Sequence, residues 1–513
     1  MAPKDVYTTL RGQLGKDKIA APRPGELKYL TAQSAALVPA VQVFPEDAKD
    51  IATILQTARD QQVPFAVKAG GHGVYAGASS IQDGILIDLS RINSVKVAPD
   101  RKSVFVGAGA KWGDVYGRLD ALGVSVPGGR ISTVGVGGLT LGGGISFAAS
   151  RRGLACDNVK SYEQIVLADG NIVTATRASH PDLFWALRGA GTNFGVVTTF
   201  EFVAFEQGQI WGGVKQYLED SEAEAVALLD QFCKSQDPSS SSADVYAEAF
   251  IITAYVAPMG KFVTTAVLSH GQPREDPPVF DGFKALPSIA SSTRVRSIAD
   301  LSVELNANNP HGLRQRWPIA NIPAKRSKTL ALAVKSDVVV LNEVMEIYKD
   351  IINPHRDTIK DFVPAILLQP LLPRMLPADE TENPLGISRK DGPLFDPSDD
   401  DLVESLARTF TQRVTETATA HNKFHRYVYL NYAAGDQDVF ASYGEENLAR
   451  LVRVSEKYDP QGVFTRLRPG YINLARSGHR KRVGDPMIEQ DIEVLSLKND
   501  FQEEKRLKYP PRV

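Results

Sequence analysis

Residues 128–146 read GGRISTVGVGGLTLGGGIS, and what this run can hold decides the fold. Glycines ahead of a short apolar segment suggest a dinucleotide-binding turn, G-x-G-x-x-G opening a helix. The spacing fails: Gly135 and Gly137 begin the pattern, but position 140 is Thr. A second run, GAGTNFG at 189–195, brings its last glycine one residue late, and no GxxxxGK occurs in the chain. What remains is a long glycine-rich loop between strands, with small Ser132 and Thr133 beside bare backbone. Such a loop can turn several N–H groups onto a pyrophosphate with no side chain intervening. Its other use is tight packing of loops against one another.

About 60 residues upstream, KAGGHGVYAG (68–77) follows the apolar run Pro64-Phe-Ala-Val67 and places His72 among glycines. A chain with eight histidines has put one where the backbone is barest and the imidazole is accessible. Both clusters belong to a set of 41 glycines, many of them between positions 70 and 144, which points to a system of ligand loops.

The rest of the composition is that of an ordinary soluble protein. At 513 residues two or more domains are expected. With 43% hydrophobic and 23% charged residues and a net charge of −2, neither nucleic acid nor an anionic membrane surface is implied. Two cysteines, Cys156 and Cys233, leave no disulfide framework and no four-thiolate metal site. No stretch has the apolar length of a signal peptide core or a membrane span, so a cytoplasmic location is the expectation. His421 and His425 in HNKFH have a metal-ligand spacing, but no glutamate follows His421 and no third ligand is evident, so no metal is expected.

Apolar periodicity divides the chain. PEDAKDIATILQTARDQQ and KWGDVYGRLDALG read as helices, VPFAV and GILIDLS as buried strands. SVKVAPDRKSVFVGAGA and EQIVLADGNIVTAT read as hairpins turning at Pro99-Asp100 and Asp169-Gly170. From Glu206 the texture changes to long strand-like runs, VYAEAFIITAYVA and KFVTTAVLSHG, mixed with helices. The expected fold class is α+β with two domains. Residues 1–205 form a first domain and 206–414 a second, followed by 415–473 and a polar extension over 474–513; the resemblance described next implies that the first domain and 415–473 bind the cofactor and that the second covers the substrate.

Taken in order, KAGGH, GGRISTVGVGGLTLGGG, RRGLACDNV, LADG and DLFWALRGAGTNFGVVTTFEF form a series. It closely resembles the PCMH-type FAD-binding domain of the vanillyl-alcohol oxidase superfamily, specifically the berberine-bridge-enzyme-like oxidases. The resemblance spans roughly residues 40–205 and resumes at YVYLNY and NLARLVRVSEKYDPQGVF. It implies an FAD cofactor, a small-molecule alcohol or amine as substrate and molecular oxygen as the electron acceptor, reduced to hydrogen peroxide. A dehydrogenase using another acceptor, or a non-catalytic flavin-fold protein, is the alternative. It implies cofactor contacts at Lys68, Ala69, Gly70, Gly71, Gly73, Gly128, Ser132, Thr133, Val134, Gly137, Gly138, Gly142, Gly143, Asn158, Val197, Asn431 and Tyr432. His72 matches the histidine that bonds the flavin 8α-methyl group. Many relatives add a cysteine tether in a C-P-T-V-G run; the run here is Ile131-Ser-Thr-Val-Gly135, so a single covalent bond is expected. Val134 stands where a small residue admits oxygen, and Leu139 where relatives often have histidine.

Substrate oxidation also needs a group to take the hydroxyl or amine proton. If YVYLNY is a strand, Tyr429 and Asn431 share one face and Tyr432 points to the other. Either tyrosine could act as base, but free Tyr ionises near ~10 and needs a cation close by; the sequence does not name one. Gln369, ending an apolar run, is a candidate to orient a substrate oxygen. Similarity to fungal sequences adds Asn383-Pro-Leu-Gly386 to the site, and Asp361 is the nearest acid in sequence.

Overall fold

Three sheets take up the strand-like runs and position everything else. The computed structural model describes residues 3–23, 25–241, 243–307, 331–356, 364–399 and 404–477. The first sheet orders four short strands as Ile19–Ala20, Val41–Val43, Ile85–Asp88 and Phe65–Lys68, the last three parallel. The helix Ala48–Gln61 connects two of them; the Asp47 carboxylate accepts the Lys49 and Asp50 N–H groups and so fixes its start. Its apolar face, Ile51, Ile54, Leu55 and Ala58, is buried.

The second sheet is antiparallel. It runs Val95–Val97, Ser103–Gly107, Thr199–Val203, Val159–Val166, Ile172–Thr176 and contains both expected hairpins. The third and largest has nine strands among the described residues. At its centre Ile210–Leu218, Lys261–His270, Ala247–Val256 and Ala365–Leu371 are neighbours, all antiparallel.

Side-chain alternation gives that sheet two different faces. Ile251, Leu268, Ile366 and Leu368 pack into one apolar cluster with Leu229, Phe232, Val344, Ile352 and Phe410 of the helices Glu222–Ser235, Val338–Ile352 and Glu404–Ala420. Phe250, Ile252 and Leu367 point the opposite way, towards the first half of the chain. The architecture is the expected α+β. The C-terminal segment packs on the first half of the chain: the helix Glu445–Tyr458 brings Lys457 and Tyr458 to Asp182 at 2.6 and 2.8 Å, and Phe65 N–H donates to the Leu467 carbonyl at 2.7 Å.

Three local expectations change. The glycine run is not loop throughout, since Val136–Leu141 forms a short helix. The helix Glu404–Ala420 runs through position 414, and the strand Phe424–His425 still pairs within the large sheet, so the chain leaves that sheet after His425. The strand expected over YVYLNY is absent: beyond His425 the backbone is irregular and closes a turn, with Tyr432 N–H donating to the Tyr429 carbonyl at 3.0 Å. Asp361 and residues 478–513 lie outside the described residues.

Candidate active site

A cleft of about 1890 Å³, counted to its open mouth, lies between the glycine-rich loops and the Phe250 face of the large sheet. One wall is nearly bare backbone. A Cβ on Gly70 would stand 2.3 Å from the Gly135 nitrogen, so the KAGGH loop and the STVG loop touch main chain to main chain. Ala69, Gly70, Gly71, His72, Gly73, Val134, Gly137, Gly138 and Val197 line this wall.

His72 is held by its partner. Its Nε2 lies 2.9 Å from Thr133 Oγ1, and the Thr133 hydroxyl in turn donates to the amide oxygen of Asn306. A hydroxyl has one proton, and an amide oxygen only accepts. With the Asn306 amide so oriented, Thr133 receives a hydrogen bond from His72, which puts the imidazole proton on Nε2 and the lone pair on Nδ1. The imidazole is thus set at the edge of the cleft.

Two arginines enter the cleft that glycine patterns did not flag. Arg468 is 2% exposed; its Nη1 donates to the Thr192 carbonyl and hydroxyl, and its guanidinium lies 4.1 Å from the Tyr471 ring centre. Among the described residues its Nε has no hydrogen-bond partner and no carboxylate pairs with it. A buried cation without a counter-charge is strongly disfavoured, so this position suits an anionic ligand. Arg130, inside the glycine run itself, donates from Nη2 to the Tyr432 hydroxyl at 3.1 Å and lies 4.2 Å over the Phe250 ring. No described carboxylate comes within ion-pair distance of it either, and none lines the cleft. The cation that a tyrosine base needs is therefore present, and it faces Tyr432.

Tyr429 has a different job. It is 3% exposed, and burial, with Tyr432 beside it, pushes its hydroxyl well above the usual range. That oxygen accepts the N–H groups of Gly144 and Ile145 at 3.0 and 3.3 Å and the Asn431 amide at 2.9 Å. Asn431 also donates to the Leu139 carbonyl at 3.1 Å. The pair clamps the end of the glycine run, Gly142 lying against the Asn431 side chain and Gly143 (φ 111°) against the Tyr429 ring. The turn replacing the expected strand brings the Tyr429 and Tyr432 rings edge to face, 4.9 Å apart.

Several expected site residues do not line the cleft. Lys68 is paired with Asp88 at 2.9 Å, Gly128 packs on the Trp112 indole, and Ser132 N–H donates to the Ser302 carbonyl at 3.1 Å. Asn158 caps the backbone of its own turn through Arg152 and Leu154. Gln369 shares the sheet face of Leu367 but is buried, with its amide nitrogen on the Pro370 carbonyl at 2.9 Å. Asn383 bonds Asp157, itself paired with buried Arg188 at 2.9 Å, and so locks two halves together. One carboxyl was missed: Glu248, 8% exposed on the strand carrying Phe250, accepts the Ser150 N–H at 2.7 Å, and burial pushes it up to about 7. Cys156 is buried, as expected, and burial raises its thiol. His421 and His425 turn to separate partners, Glu343 and Asp391. Among the described residues no helix is long and apolar enough to cross a membrane.

Bare-backbone loops from two segments, a poised histidine and an anion-seeking arginine around one large cleft define a flavin-binding oxidoreductase fold. Residues 39–176 match the FAD binding domain family, and 428–466 match the berberine and berberine-like family. The chain is 36% identical over 466 residues to the FAD-dependent monooxygenase FUP4 of Fusarium proliferatum, covering 86% of each. Its fold matches xylooligosaccharide oxidase from Myceliophthora thermophila at a TM-score of 0.70 and 21% identity, covering 92% of this chain and 99% of that one. It matches glucooligosaccharide oxidase from Acremonium strictum, described with a 6-S-cysteinyl, 8α-N1-histidyl FAD, at 0.67 and 20%, covering 91% and 99%. The chain belongs to the berberine-bridge-enzyme-like family of FAD-dependent oxidoreductases, and its cofactor is FAD.

Proposed function

We propose that this protein is an FAD-linked oxidase of a small-molecule alcohol or amine, with the flavin attached through His72 and oxygen reduced to hydrogen peroxide. The reading is carried by one juxtaposition: the Arg130–Tyr432 pair and the Thr133-held His72 line the same cleft. FAD held in this cleft would supply the two-electron chemistry, accepting hydride from a substrate carbon and yielding the electrons to oxygen.

The chain's own residues do the rest. His72 Nδ1 carries the lone pair for attachment, because Thr133 fixes the proton on Nε2. Position 131 is Ile, so a second tether has no sulfur there. Arg468 and the backbone N–H groups around Gly70 and Gly135 meet the cofactor's negative charge. Tyr432 takes the substrate hydroxyl or amine proton as the carbon gives up its hydride. The Arg130 guanidinium, donating to the phenol oxygen, stabilises the charge that this role requires. Val134 lines the cleft as a small side chain, which suits the approach of oxygen.

The similarity to FUP4, an FAD-dependent monooxygenase, supports a second reading, insertion of one oxygen atom into the product. Product analysis under labelled oxygen, with peroxide counted alongside, separates the two. One peroxide per substrate and no label in the product supports the oxidase; label in the product with little peroxide overturns it.

A further inference from the structure

The substrate end of the cleft is short of partners for a polyhydroxylated molecule. Its sheet wall is Phe250, Ile252 and Leu367, and across from them stand Ile131 and Leu139. Most nearby polar groups are already engaged: Tyr429 accepts three donors, Asn431 Nδ2 makes two bonds, and the Gln369 amide nitrogen turns to its own chain, which leaves the buried Gln369 oxygen as an acceptor without a partner among the described residues. A sugar brings a hydroxyl on nearly every carbon. Each one buried against these walls loses water without gaining a partner, at about 1–3 kcal/mol apiece. Such a surface instead gains from burying a flat apolar skeleton.

Arg130 breaks the apolar pattern at one point. Its guanidinium is held by the Phe250 ring and spends one donor on Tyr432, while a guanidinium has five donors in a planar fork. No described carboxylate neutralises it within ion-pair distance. Glu248 is a more remote neighbour, beyond that range, and burial favours its protonated form. A half-exposed cation at the rim of an apolar wall, aimed into a cleft with no acidic lining among the described residues, is built to receive an oxyanion.

We infer that the substrate is a flat, largely apolar molecule bearing one acidic oxygen, as carboxylate, phenolate or enolate, which docks on Arg130 while its skeleton lies along Phe250, Ile252 and Leu367. This rests on the flavoprotein reading above for the choice of cleft. It assigns to Arg130 a substrate-binding role besides its contact with Tyr432, and it separates this chain from oligosaccharide oxidases of the same fold.

Calorimetric titration of the purified holoprotein tests it with three probes: 2-naphthoate, its neutral analogue 2-naphthylmethanol, and cellobiose. The expected order is naphthoate tightest, naphthylmethanol about 10- to 100-fold weaker as for loss of a charge-assisted hydrogen bond, and no measurable cellobiose binding. Arg130→Met should bring the two naphthyl probes to within a few-fold of each other by weakening only the acid, and Arg130→Lys should restore part of the gap. Equal binding of the two naphthyl probes to the wild type, or saturable cellobiose binding, overturns the inference. If Arg130→Met fails to fold, the wild-type probe order and the Lys variant decide alone. The absorbance of the same sample reports the flavin, so a colourless protein that FAD does not restore defeats the flavoprotein reading separately, and the heats still decide the probe preference.

Discussion

The two walls of the cleft are built on different principles. The cofactor wall is main chain: Gly70 and Gly135 touch so closely that no side chain fits, and the ligand-facing groups are N–H donors, one histidine and a buried arginine. The substrate wall is side chain: alternate residues of two antiparallel strands present Phe250, Ile252 and Leu367 from a rigid sheet whose other face is sealed by helices. The first wall tolerates almost no substitution and holds one invariant ligand. The second can be repainted residue by residue without disturbing the sheet, which is how one fold serves chemically different substrates.

That contrast can be broken most directly at Gly70. Gly70→Val drives a branched side chain into the backbone of the neighbouring loop, so the variant should lose bound flavin altogether and destabilise by more than about 3 kcal/mol. Phe250→Leu on the opposite wall should keep both fold and flavin. Flavin absorbance per protein and a thermal midpoint measure the pair. Comparable damage from both changes would erase the distinction.

Next in size is the division of labour between the tyrosines. Tyr432→Phe should slow flavin reduction by substrate about 10²–10⁴-fold, the usual loss for a proton acceptor. Tyr429→Phe should act mainly on stability, because it strands the Gly144 and Ile145 N–H groups, at about 1–3 kcal/mol. Anaerobic rapid mixing followed by thermal melting of both variants distinguishes them. A larger rate loss in Tyr429→Phe would reverse the assignment.

Smaller again is the effect of the buried guanidinium. In a His72→Ala background, where flavin exchanges freely, Arg468→Met should weaken FAD binding about 10- to 100-fold while leaving the apoprotein at least as stable, since an uncompensated buried charge is removed. Fluorescence titration with FAD reads the first, melting of the apoprotein the second.

The last effect is pH-linked. Burial lifts Glu248 from 4.5 to about 7, so the folded state holds a proton that the unfolded chain releases. Its stabilising contribution is complete below about pH 4.5 and is lost as pH rises through about 7. Glu248→Gln should flatten the decline of the thermal midpoint across that window, an effect of about 1–3 kcal/mol. A profile unchanged by the substitution would mean that Glu248 titrates normally.

The same contrast explains what could be read from the sequence. A wall of touching backbones demands glycine at fixed places, so the loops around Gly70 and Gly137 are legible in the sequence. The long helices and hairpins were legible too, because their periodicity or turn residues are local. The substrate wall was not, since Phe250 and Leu367 alternate in the manner of any half-buried strand. Arg130 lies within the glycine run and Arg468 among ordinary C-terminal residues. Nothing local marks a cation as lacking a counter-charge; that depends on which carboxylates the fold keeps away. YVYLNY has strand composition but closes a turn, because Tyr429 is drawn to the N–H groups of a segment nearly 300 residues earlier.

The central claim is that the Thr133-held imidazole is the point of flavin attachment. It is tested by denaturing the purified protein in acid and reading the absorbance of the washed pellet and of the supernatant, for the wild type and for His72→Ala. The account predicts yellow colour retained in the wild-type pellet and released to the supernatant in the variant. Colour that leaves the wild-type pellet, or stays in that of His72→Ala, would contradict it.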